Sequence, residues 1–135
     1  FPAWSPAGRE IAFTRAPATV YDGGANGAER HVSQRTIWLM APDGSAKRQL
    51  TKGDGLRDEH PEWSADGTWL LFARFQGKEP ELWLIRADGS SPTRVVTGLP
   101  SGPDDRNYYG YYGYVDWPSL YDWWSSSDTC VTSER

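Results

Sequence analysis

The chain has 135 residues, with 14 Lys and Arg against 18 Asp and Glu, a net charge of −4 and a pI near 5.1. Its basic residues are scattered, which excludes the one-sided positive surface of a nucleic-acid binder, and no apolar run approaches the roughly 20 residues of a membrane-spanning helix. Cys130 is the only cysteine, so no internal disulfide forms; without a histidine or basic cluster around it, it reads as an idle thiol.

The first apolar run lies in WSPAGREIAF at 4–13, broken by Ala7-Gly8, where glycine supplies the positive φ of a tight turn. Residues 17–34 follow, an insertion with Gly23, Gly24 and Gly27 that reads as a surface loop, the place where such scaffolds put specificity. IWLM at 37–40 is apolar on both faces, as suits a strand between two packed sheets. Asp43-Gly44 then turns the chain into RQLT at 48–51. The acidic group Asp54, Asp58 and Glu59 lacks the alternating carboxylates of a calcium loop and reads as a solvated turn. His60, before Pro61, reads as a hydrogen-bonded residue at a strand entrance; neither it nor His31 has a second ligand at metal-binding spacing.

From Trp63 the pattern starts again. WSADGTWLLF at 63–72 has its turn at Asp66-Gly67, Glu79 and Glu81 flank Pro80 in an expected hairpin loop, and LWLI at 82–85 leads through Asp88-Gly89 to RVVT at 94–97. Two copies of one four-run unit predict an all-β chain: blade 1 over 1–51 with its loop at 17–34, blade 2 over 52–97, and an extension over 98–135. Each unit is a four-stranded antiparallel meander, which cannot bury both its faces alone and must stack on a neighbour. The recurring Trp4 and Trp63, Trp38 and Trp83 are therefore expected in blade-to-blade packing. The Trp69 strand should pair with the strand at 82–86.

These blocks, over residues 2–51 and 61–97, resemble the TolB-like β-propeller repeat, with its Trp-Ser-Pro-Asp-Gly turn, aliphatic-Trp strand, Asp-Gly-Ser turn and closing Arg-x-Leu-Thr. The resemblance implies blades packed radially around a channel, an extracytoplasmic, periplasmic address, and a relation to the propellers fused to prolyl-oligopeptidase-type hydrolases. Two blades cannot close a ring that needs about 4–8. Trp117 opens a degenerate third copy, with Pro118-Ser119 reversing the Ser5-Pro6 order and at most a first strand.

The extension concentrates aromatic residues: Tyr108, Tyr109, Tyr111, Tyr112, Tyr114, Tyr121 and Trp124 fall beside Trp117 and Trp123. Neither period 2 nor period 3.6 buries Tyr108 to Tyr114 on one side, and Tyr and Trp suit wet interfaces, so these residues are the expected partner contacts. No Gly-x-Ser-x-Gly elbow is present, and no paired carboxylates or cofactor-binding motif point to catalysis. The expected function is a non-catalytic interaction module without cofactor or metal, an accessory or scaffolding subunit bound to protein partners. A homo-oligomer, glycan binding through the Tyr/Trp segment, and the propeller fragment of a hydrolase are the alternatives.

Overall fold

The computed structural model describes residues 2–17, 33–76 and 79–99. Eight strands form two four-stranded antiparallel meanders: β1 (Ala3–Trp4), β2 (Ile11–Arg15), β3 (Thr36–Met40) and β4 (Arg48–Gln49) in one, β5 (Arg57–Trp63), β6 (Trp69–Gln76), β7 (Glu79–Arg86) and β8 (Thr93–Val96) in the other. The expected pairing of the Trp69 strand holds, with Trp69 opposite Arg86 and Leu71 opposite Leu84.

The turns explain why the motifs recur. Ser64 Oγ accepts the amide of Trp69 at 2.9 Å and donates to Asp66 Oδ1 at 2.6 Å, while Asp66 also takes the Thr68 amide at 2.9 Å. This closes the β5–β6 hairpin around Gly67, whose φ of +71° is costly for any residue with a Cβ. Ser5 does the same work in β1–β2, accepting the amides of Arg9 and Glu10 at 3.1 and 3.0 Å, but Ala7 stands where Asp66 does. In the later turns Asp43 and Asp88 accept the amides of Ser45 and Ser90 at 2.9 and 2.8 Å, each an Asx turn.

Alternation of side chains across each strand gives each sheet two distinct faces. Ala12, Ile37 and Leu39 project from one face of the first sheet and pack with Leu50 against Leu70, Phe72 and Ile85 of the second, with Trp63 and Trp83 at the margin. The opposite face of the second sheet carries Leu71, Ala73, Phe75 and Leu82, all under 9% exposed, with Leu84 and Leu99 packed on them.

Three expectations change. β5 begins at Arg57, so His60 lies inside a strand rather than at its entrance, with φ of +52° where the register with β6 shifts between Glu59 and Glu62. Glu79, Pro80 and Glu81 belong to β7 rather than to a hairpin loop; proline is tolerated there at the second position of the strand, where it lies opposite Phe75. Asp58 and Glu59 are not a solvated turn: Asp58 is 0% and Glu59 5% exposed.

Candidate functional site

The two sheets meet in a seam that mixes apolar packing with a few placed polar bonds. The Trp63 indole N–H donates to the carbonyl of Ala3 at 3.1 Å, Asp58 donates its amide to Arg35 O at 2.9 Å, and the Arg35 guanidinium reaches Glu59 Oε1 at 2.6 Å. Arg57 holds the other oxygen of Glu59 at 2.7 Å. Arg74, opposite Asp58 on β6, grips its carboxylate through Nε and Nη2 at 2.7 and 2.9 Å. The same guanidinium lies 4.6 Å from the Trp83 ring centroid, so a charged layer sits on the aromatic margin of the core. A buried carboxylate of this kind tolerates the loss of water only because its arginine partner stays in place.

Superposing the repeats by sequence places Trp4 with Trp63, Ile11 with Leu70, Phe13 with Phe72, Arg15 with Arg74, Trp38 with Trp83 and Met40 with Ile85. In the second sheet these residues face the first. In the first sheet they face away from the second, and Trp4 is 57% exposed. Phe13, Trp38 and Met40 are partly exposed, and Arg15 stacks on the Trp38 ring at 4.8 Å. Trp63 and Trp83 therefore pack between blades as expected, whereas Trp4 and Trp38, on the face turned away from the second sheet, do not. A cleft of about 490 Å³ opens at the end of this face, between Arg15, Thr36 and Trp38 on one side and Gln49, Lys52 and Asp54 on the other. It joins an aromatic floor to charges of both signs.

Other polar groups are engaged within the fold. Glu81 accepts the Trp83 indole N–H at 2.9 Å and Arg94 at 3.1 Å, and His60 Nε2 lies 2.9 Å from Glu62 Oε1. Hydrogen bonds from Ser45, Ser64 and Ser90 hold the carboxyls of Asp43, Asp66 and Asp88 below their ordinary value of 3.8. Among the described residues no group of three or more His, Cys, Asp or Glu side chains is arranged to hold a metal ion.

The sequence-predicted contacts Tyr108, Tyr109, Tyr111, Tyr112, Tyr114, Tyr121 and Trp124 lie outside the described residues, as do Trp117, Trp123, His31, Cys130 and most of the 17–34 insertion. The Trp4 face was missed as a site because its tryptophans sit at repeat positions, where equivalence argues for packing. The signal that could have found it is the alternation along β2 and β3, which sets Phe13, Trp38 and Met40 on the face opposite Ala12, Ile37 and Leu39.

No protein-family model matches the chain. It is similar, at 29% identity over 69% of its length, to an uncharacterized protein of Agrobacterium fabrum, of which it spans 27%. Among solved structures it is similar to TolB from Acinetobacter baumannii (19% identity, TM-score 0.50, 69% of this chain and 20% of that one). It is likewise similar to a chain of a nidogen/laminin complex (16%, TM-score 0.51, 71% and 30%) and to a prolyl endopeptidase (16%, TM-score 0.55, 73% and 15%). The chain thus spans less than a third of each of these proteins, and at these identities the structural likeness establishes the propeller-type fold.

Proposed function

We propose that the chain is a non-catalytic propeller-type interaction module, an accessory or scaffolding part of a larger extracytoplasmic assembly. The observation that carries this reading is the exposed Trp4 on a sheet face whose repeat equivalent, around Trp63 and Phe72, is covered. Large aromatic groups left in water at the edge of a packed array are energetically unfavourable and mark surfaces that a partner covers. The likeness to TolB supports the periplasmic part of the proposal through fold alone.

The aromatic segment is the second contact in this proposal. Replacing Tyr111 and Tyr112 together by Ala should weaken partner binding by about 2 kcal/mol or more if they are anchors, while the circular dichroism of the two sheets stays unchanged. Binding unaffected by that change would move the contact to the 17–34 insertion, whose deletion tests it in turn. A second reading, the propeller fragment of a prolyl-oligopeptidase-type hydrolase, is favoured by the TM-score of 0.55 to a prolyl endopeptidase. Sequence flanking residues 1 and 135 separates the two, because the hydrolase reading requires a catalytic domain there. Tryptophan fluorescence titrated with glycans tests the remaining alternative, carbohydrate binding.

A further inference from the structure

We propose that Asp54-Gly55, in the loop joining the two sheets, is a site of spontaneous backbone modification, where the aspartyl bond rearranges to isoaspartate through a cyclic imide. The site does not depend on the interaction reading. Asp-Gly is the pair in which this reaction is least hindered, because the attacking amide belongs to a residue without a Cβ. The described residues hold four such pairs: Asp43-Gly44, Asp54-Gly55, Asp66-Gly67 and Asp88-Gly89. Three of them are locked at both reacting groups. The amides of Gly44, Gly67 and Gly89 donate to the carbonyls of Ala41, Ser64 and Arg86 at 2.9, 2.9 and 2.8 Å. The carboxylates of Asp43, Asp66 and Asp88 accept the amides of Ser45, Thr68 and Ser90. The hydrogen bonds at these three carboxyls also favour their ionised form, the poorer electrophile.

Asp54-Gly55 has neither lock. The flanking amides donate, Asp54 to Lys52 O at 3.2 Å and Leu56 to Gly53 O, but among the described residues the Gly55 amide donates to nothing and the Asp54 carboxylate accepts nothing. Both residues are exposed. Asp54 is held at φ +38° between Gly53 at +85° and Gly55 at +77°, a left-handed run that is unfavourable for a residue with a Cβ. An added main-chain methylene gives the loop a torsion with which to leave it. In the reaction the Gly55 nitrogen, having lost its proton, bonds to Cγ of the protonated carboxyl, whose hydroxyl departs with that proton as water. Water then adds to the main-chain carbonyl of the imide and that C–N bond breaks, leaving Gly55 attached through Cγ beside a free α-carboxylate. One water leaves and one enters, so no oxidant or cofactor is required. Lys52, Gly53 and Asp54 line the cleft beside Trp38 and also a second one, of about 230 Å³, against Arg74, Ile85 and Pro92, so the product reshapes a wall common to both.

The test ages the full chain near neutral pH in oxygen-18 water, one arm folded and one in urea. Trypsin in ordinary water then releases Asp54 on peptide 53–57 and Asp43, Asp66 and Asp88 each on another, while Asp22-Gly23 and Asn26-Gly27, outside the described residues, fall on 16–30. Each event adds one heavy oxygen, and electron-transfer fragmentation locates the β linkage. In the folded arm isoaspartate should accumulate in 53–57 about tenfold or more ahead of the other three sites, since each of those must first release its hydrogen bonds. In urea the difference should collapse. A folded-state rate at Asp43, Asp66 or Asp88 equal to that at Asp54 overturns the proposal, and so does a peptide 53–57 that gains no heavy oxygen in the folded arm. A preference for Asp54 that persists undiminished in urea overturns it as well, because local sequence and not the fold would then set the rate.

Discussion

Ser64 and Asp66 show what the repeat signature does at the level of single atoms: one hydroxyl and one carboxylate satisfy the amides that the hairpin turn leaves open. The first unit has only the hydroxyl, with Ala7 at the aspartate position. Ala7→Asp should therefore raise the melting temperature, and an unchanged or lower value in calorimetry would show that the turn gains nothing from the second acceptor. Because Asp43, Asp66 and Asp88 are held below 3.8, the unfolded chain takes up their protons first as pH falls. Their contribution to stability is complete above that value and is lost as pH falls through the lower folded-state values. Asp66→Asn should flatten that acid limb in urea titrations without altering stability's dependence on pH near neutrality. Buried Asp58 behaves differently. Its replacement by Ala strands Arg74 and should cost about 3–5 kcal/mol, read as a lower urea midpoint. The turn residues were legible in the sequence because their bonds are local. Asp58 and Glu59 were not, since a short acidic run looks the same in water or in a core until Arg74 and Arg35 are brought to it by strand pairing.

Among the elements, β6 from Trp69 and β7 from Leu82 were the most legible, because both faces of each are apolar and Gly67 and Gly89 mark their outer ends; the start of β7 at Glu79 was not. β5 was the least. Arg-Asp-Glu-His-Pro-Glu carries no apolar alternation, and its extended form is imposed by pairing with β6 and by ion pairs to the neighbouring sheet. The two equivalent tryptophans give the sharpest contrast at this scale. Trp63→Ala removes packing at the seam and the bond to Ala3, and should cost about 3 kcal/mol; Trp4→Ala removes a side chain that is 57% exposed and should cost about 0.5 kcal/mol or less. Equal losses in denaturant titration would mean that Trp4 is buried in the folded chain.

At the scale of the molecule, the all-β architecture of two stacked meanders follows from the repeat, since neither sheet covers both its faces unaided. The same repeat concealed the outward Trp4 face, because equivalent positions of the two units lie in different surroundings. Sedimentation of material purified from its native source should find a particle heavier than a single copy of the polypeptide that carries this chain. A particle of that mass alone would contradict the assembly role.

The stacking of the sheets has a direction. One end of the pair displays indole and guanidinium, and the other ends in leucine and alanine, so the two ends are as different as plug and socket. A sheet shaped to fit the tryptophan end does not fit the leucine end. In the assembly proposed above, the two ends would therefore take different neighbours.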